Sequence, residues 1–154
     1  MDIGDWLDRS GIVYRSSADS KRQALAAAAD AAAKGLPFKA SFILDALIER
    51  EAQGSTGIGR GVAIPHARLP GLERMHAVFV RLDKPVAFDA VDDRPVDMLF
   101  ALFAPEGAET QHLRALARIS RLFRQSGLRE QLRQARTPDA LYAILSREAE
   151  ASAA

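Results

Sequence analysis

The stretch Val96-Asp97-Met98-Leu99-Phe100-Ala101-Leu102-Phe103 is apolar at every position but one. A half-exposed strand alternates in polarity, whereas a run like this fits a central strand covered on both faces. Such a strand needs helices above and below it, and the rest of the chain supplies them. The architecture expected is therefore α/β.

Around that strand the pattern switches period several times. Ile12-Val13-Tyr14 reads as a short strand. Ser17 to Asp19 then offers an N-cap, and Leu25, Ala28, Ala29 and Ala32 recur at helical spacing up to Gly35, with Pro37 just beyond. A second helix over 40–52 buries Ile43, Ala46 and Leu47 and stops at Gly54. Residues 62–64 read as a buried strand ending in Pro65-His66, and 75–82 and 86–88 as two further strands. From Gln111 the period is helical again, with Leu113, Leu116, Ala117 and Phe123 on one face and arginines on the other. A short helix follows Gly127. Thr137-Pro138-Asp139 begins the last helix, threonine at the N-cap and proline at N1. The expectation is one domain over 1–154, a three-layer α/β/α sandwich with a central mixed β-sheet, its tail frayed over 148–154.

Charge and composition narrow the function. Lysine plus arginine number 21 against 20 acidic residues, a formal charge of +1. That balance argues against broad attraction to nucleic acid or an anionic membrane, so a bound anion needs a local constellation. With 0 cysteines, disulfides, thiolate chemistry and cysteine-held metals are excluded. The start, MDIGDWLDRSG, lacks the apolar core of a signal peptide, and the longest apolar stretch, 24–33, is broken by Asp30 and too short for a bilayer. A cytoplasmic protein without membrane insertion is expected.

Gly57-Ile58-Gly59-Arg60-Gly61 superficially suggests a dinucleotide loop. Such a loop follows a strand and opens a helix, so that phosphate meets the helix N-terminus. Here the glycines follow a helix and lead into a strand, so a tight glycine turn is the sounder reading.

Each of the three histidines can be weighed. His66 follows a buried strand, directly after a proline that fixes its own φ. An imidazole on that rigid support can be a nucleophile, a base, a metal ligand or simply a loop residue. His112 opens the helix after the apolar strand, where free N–H groups favour anions, although a capping role is also open. His76, near the start of the 75–82 strand, reads as an exposed strand residue. A three-histidine zinc site finds no support in the spacing, and the arginines at 114, 118, 121 and 124 read as a solvated face or a surface for an acidic partner.

Glu51, followed by Ile58-Gly59-Arg60-Gly61-Val62-Ala63-Ile64-Pro65-His66-Ala67, resembles the active-site signature of mannitol/fructose-type enzyme IIA domains of the phosphotransferase system. Gly54-Ser55-Thr56-Gly57, Pro85-Val86-Ala87-Phe88-Asp89, Pro95-Val96-Asp97-Met98 and His112-Leu113 are similar to the nitrogen-regulatory branch. The resemblance implies that His66 accepts a phosphoryl group on Nε2 (tele-phosphohistidine) from an HPr-like histidine phosphocarrier. It implies that His112 and Arg50 stabilise that group, without metal or cofactor. A planar guanidinium matches phosphate oxygens, and phosphoryl transfer asks mainly for positioning and charge stabilisation. The partners implied are the phosphocarrier and regulated proteins such as transporters or sensor kinases, and a homodimer is compatible. The chain holds no cysteine-bearing IIB and no membrane IIC segment, which favours regulation. The alternative is a sugar-transport enzyme IIA passing phosphate to a separate IIB component.

Overall fold

The computed structural model describes residues 3–153, with side chains up to residue 147. In chain order the elements are α1 (Ile3–Trp6), β1 (Leu7–Ser16), α2 (Lys21–Ala33), α3 (Ala40–Glu51), β2 (Gly57–Gly59), β3 (Val62–Ala63), β4 (His66–Leu69), β5 (His76–Val86), β6 (Val96–Pro105), α4 (Glu109–Leu122), α5 (Ser126–Gln134) and α6 (Pro138–Ala153). The strands form one six-stranded sheet ordered β1-β5-β6-β3-β2, with β4 pairing β6. It is mixed: β1–β5, β3–β6 and β4–β6 are parallel, while β5–β6 and β2–β3 are antiparallel.

The apolar run forms β6, at the centre of the sheet. Leu99, Ala101 and Phe103 pack in the core beneath α2 and α3, while Met98, Phe100, Leu102 and Ala104 pack in the core under α4, α5 and α6. Alternate residues of a strand point to opposite faces, so one run of sequence fills both cores and the three-layer sandwich follows. Phe123 stacks on Phe79 and meets Phe100 edge-on, closing the second core.

Several boundaries differ from the sequence expectation. The strand around Ile12 runs through ten residues, because its pairing with β5 resumes across two irregularities. The helix after it is capped by Ser20, whose hydroxyl accepts from the Gln23 amide at 3.1 Å. The strand expected over 75–82 runs on to Val86 as β5, carried across a register shift against β6, and of the second strand expected over 86–88 only Val86 belongs to the sheet. The greatest change is in α4. Its buried residues are His112, Ala115, Ile119 and Leu122, whereas Leu113 is 68% exposed, Leu116 half-buried and Ala117 exposed. His112 points inward, and an apolar-periodicity count cannot see a buried imidazole, so it places the face one position too late. Thr137 caps α6 through the Ala140 amide at 3.0 Å, as expected. That helix continues to Ala153. The expected fraying concerns side chains from 148 on and residue 154, which lie outside the described residues.

The glycine run folds as a hairpin. Arg60 (φ 57°) and Gly61 (φ 83°) form the two-residue turn between β2 and β3, both with the positive φ that such a connection demands. The Arg60 amide is held by Asp92 Oδ2 at 2.8 Å. A Cβ at Gly61 would overlap the Arg133 guanidinium and sit 2.9 Å from Asp97 Oδ1. Gly61→Ala should therefore destabilise the protein by about 1–3 kcal/mol in urea unfolding, the sum of a strained φ and a displaced ion pair. Unchanged stability would contradict this turn geometry.

Candidate functional site

β3 and β4 lie end to end along one edge of β6: Val62 and Ala63 pair with Met98 and Leu99, and His66 to Leu69 pair with Leu102 to Pro105. Between them the ladder breaks at Ile64-Pro65. Pro65 has no N–H to offer, but its carbonyl accepts from the Leu102 amide at 2.9 Å, and the Ile64 amide turns outward to the Thr56 carbonyl at 3.0 Å. The break leaves the Ile64 carbonyl free to bond the side chain two residues on. His66 thus opens a second strand segment instead of closing the first.

In β4, Ala67 and Leu69 face the core under α2 and α3, which sends His66 and Arg68 to the other side, toward α4. His66 Nδ1 lies 2.9 Å from the Ile64 carbonyl oxygen. A carbonyl only accepts, so Nδ1 carries the proton and Nε2 holds the lone pair. Arg50, in the last turn of α3, donates from Nε to that Nε2 at 3.1 Å and from Nη1 to the Gly54 carbonyl at 2.9 Å. The His112 ring meets the His66 ring edge to face, centroids 5.2 Å apart at 81°. Arg50, His66 and His112 therefore converge at a cleft of ≈800 Å³ whose wall also holds Phe42, Arg68, Glu109 and Leu113.

His76 stands apart. It pairs with Phe103 while His66 pairs with Leu102, so the two imidazoles project from opposite faces of the sheet. It is also not the exposed residue expected from the sequence. It is half-buried because its ring lies against Gly35 in the α2–α3 connection, and its enclosed Nε2 has no partner among the described residues.

Electrostatics keep both site histidines neutral. Burial lowers the His66 pKa, helped by the Arg50 cation and opposed by the Nδ1 bond to Ile64. His112, only 5% exposed, is pushed down from 6.5 to about 4 by burial first, then by His66, Arg68 and Arg50. Its Nε2 is enclosed with no hydrogen-bond partner among the described residues. A depressed histidine pKa means that the unfolded chain binds the proton first as pH falls, so stability is present above 6.5 and lost on the way down to about 4. That loss should approach ~3 kcal/mol from His112. His112→Gln should show a correspondingly shallower decline in chemical denaturation between those pH values; identical slopes would contradict the assignment.

Sequence reasoning missed the brace beneath Arg50. Glu51 is 8% exposed, and its carboxylate accepts from the Thr56 amide at 3.1 Å and 3.2 Å, from the Thr56 hydroxyl, and from Lys21 Nζ at 2.8 Å. This fastens the loop leaving α3 to the hairpin that leads to His66. An acid beside Arg50 in a helix that ends in a glycine-rich loop was the available signal, but its burial was not visible. Arg68 was missed as well. It shares a strand face with His66 at spacing two, and its ion pair with Glu109 at 3.2 Å joins β4 to the first turn of α4.

A neutral imidazole with its lone pair held against a guanidinium, beside a second imidazole, is an arrangement chemically able to act as a nucleophile. The sequence model for "Phosphoenolpyruvate-dependent sugar phosphotransferase system, EIIA 2" matches residues 6–148. The nitrogen regulatory protein of Bradyrhizobium diazoefficiens is 42% identical over 146 residues, covering 95% of each chain. That of Escherichia coli is 37% identical over 147 residues, covering 95% of this chain and 90% of the other. The crystal structure of the nitrogen regulatory protein IIA-Ntr from Neisseria meningitidis superposes with a TM-score of 0.87 at 36% identity, over 93% of this chain and 98% of that one. The chain belongs to the EIIA type-2 family of the phosphotransferase system. The relatives just described are nitrogen regulatory proteins, whereas others in the family include a PTS system fructose-specific EIIA component, that of Haloferax volcanii, at 35% identity over 103 residues. No helix among the described residues is long and apolar enough to cross a membrane.

Proposed function

We propose that the chain is a nitrogen-regulatory enzyme IIA, acting as one unit, that accepts a phosphoryl group on His66 Nε2 from a phosphorylated HPr-like carrier. It would then act on partner proteins, such as transporters or sensor kinases, according to its phosphorylation state. The observation that carries the reading is the orientation of one ring: the Ile64 carbonyl accepts from Nδ1–H, and the lone pair on Nε2 points to Arg50. This orientation supports Nε2 as the acceptor atom and Arg50 as the group facing the phosphoryl oxygens. No nucleotide loop is required, since the donor is itself an activated phosphohistidine.

The donor attacks no part of this chain; the reaction is an in-line exchange between imidazoles. His66 Nε2 forms a bond to phosphorus as the carrier's nitrogen–phosphorus bond breaks; the carrier ring, protonated on its other nitrogen, leaves as a neutral imidazole, and the His66 ring, which keeps its Nδ1 proton, takes up the positive charge. Arg50 then shifts from the ring nitrogen to the phosphoryl oxygens. His112, with an enclosed unbonded nitrogen, offers a further donor to them. Phe42 (42% exposed) and Leu113 (68% exposed) on the cleft wall give a protein donor apolar contact at the rim. The product is a near-dianion on a chain of formal charge +1, a local change that alters binding to a partner by about 1–3 kcal/mol without refolding.

Incubation with phosphoenolpyruvate, enzyme I and the cognate phosphocarrier should add one acid-labile phosphoryl group, followed by intact-mass measurement at neutral pH. Absence of any incorporation would defeat the proposal. Arg50→Lys should slow the transfer at least ~10-fold in a quench-flow assay, because an ammonium cannot hold Gly54 and face the phosphoryl group with one planar fork. An unchanged rate would remove Arg50 from the reaction.

A further inference from the structure

The turn of the β2–β3 hairpin carries a second concentration of positive charge, away from the histidine pair. Arg60, Arg94, Arg129 and Arg133 line an open concavity of ≈490 Å³ together with Gly61, two prolines and one carboxylate, Asp97. Its wall contains no large apolar side chain, so whatever binds there is recognised by charge and hydrogen bonds.

Two of the four guanidiniums are fixed in place. Arg133 meets Asp97 through Nε and Nη2, each at 3.0 Å, and Nη2 also donates to the Arg60 carbonyl at 2.7 Å. Its Nη1 makes no bond among the described residues, so that edge of the fork stays open. The absence of a Cβ at Gly61 is what admits this guanidinium against the turn.

Arg129 is the more telling residue. It is 8% exposed, yet its one bond goes from Nη1 to the Phe123 carbonyl at 2.8 Å, and no carboxylate lies within ion-pair distance among the described residues. Arginine is seldom buried without an acidic partner, and an uncompensated buried charge is costly. Burial disfavours its charged form, and the cations Arg60 and Arg133 disfavour it further. Asp92 offers no relief, since its carboxylate is taken by the backbone amides of Arg60 at 2.8 Å and Arg94 at 3.1 Å. Those two bonds instead hold together the loops that present the two exposed arginines.

We propose that this concavity binds a small molecule through a diphosphate group, at a site independent of the His66 chemistry. Four planar forks, with no lysine among them, match the oxygens of adjacent phosphoryl groups better than a single carboxylate, and one anion of high charge supplies the partner that Arg129 lacks.

The test is a ¹H–¹⁵N NMR titration of the full chain at constant ionic strength, with inorganic pyrophosphate as probe and orthophosphate and citrate as comparison arms. It is run in the native sequence and in Arg50→Ala, which weakens competition from the histidine cleft. Pyrophosphate should produce saturable shifts at the Gly61 and Asp97 amides and the Arg133 side-chain Nε–Hε in both proteins. Arg129→Met should weaken binding about tenfold. Arg94→Ala, an exposed change that breaks no side-chain bond among the described residues, should weaken it in the same direction with the fold intact. Shifts that do not saturate, that are confined to the His66 cleft, or that are unaffected by both substitutions would overturn the proposal. Citrate binding as tightly as pyrophosphate would replace it with a surface for carboxylates, and equal affinity for orthophosphate would rule out the diphosphate.

Discussion

His66→Ala should leave a folded protein that takes up no phosphoryl group at all. The side chain is half-buried at a sheet edge, and its two bonds, to Ile64 and Arg50, are local, so removing it leaves both cores intact. Circular dichroism and thermal unfolding should match the native protein closely, while intact mass after incubation with the full donor cascade should be unchanged. His112→Ala should still accept phosphate, more slowly, because its ring stands beside the acceptor nitrogen without being it. Stable phosphate on His112 or His76 in the variant lacking His66 would sink the assignment. A rate for His112→Ala equal to the native one would limit that residue to packing.

The second large effect belongs to a residue that touches no phosphate. Glu51→Ala should destabilise the protein by about 2–4 kcal/mol and slow phosphoryl uptake as well. The substitution strips acceptors from the Thr56 amide and hydroxyl and leaves Lys21 Nζ, which now lies 2.8 Å from a Glu51 oxygen, with the face of Phe88 and the exposed Asp89 carboxylate at 4.0 Å. Lys21 retains some solvent contact, 24% of its side chain, which keeps the loss below that of a fully enclosed pair. The activity loss follows from geometry: Arg50 precedes Glu51, and Thr56 holds Ile64, whose carbonyl orients His66. Urea unfolding and transfer rate should therefore fall together. Lys21→Met should cost less stability and less rate, since Thr56 would keep its acceptor; equal losses would show that the ion pair matters more than the loop.

How much of this could be read from the sequence depended on which physical signal each residue emits. The β6 run announced itself, because no surface element tolerates so many apolar residues together, and from it the layered fold followed. His66 and Arg50 were legible through a contiguous signature around a proline and through the resemblance it carries. The strand break at Ile64-Pro65 was half legible: proline marked an interruption, but pairing of both halves with the same strand is set by β6. The inward face of α4 was misread because His112 is polar in composition and buried in fact. The same rotation put Leu113 at the cleft rim, where exposure makes it useful. His76 was misplaced for a related reason: nothing in its neighbourhood signals that a glycine forty-one positions earlier will lie against its ring. Glu51 and Arg129 show the general limit, since a charged letter carries no hint of burial when its partners come from distant segments.

The account rests on one atom, His66 Nε2, and a long-range ¹H–¹⁵N NMR experiment on the phosphorylated protein observes it directly. With uniformly ¹⁵N-labelled histidine, the phosphorus coupling should appear on Nε2 of His66, while Nδ1 keeps its proton and its bond to the Ile64 carbonyl, and the His112 and His76 nitrogens should show no phosphorus coupling. Phosphorus on Nδ1, or on either of the other two histidines, would contradict the account.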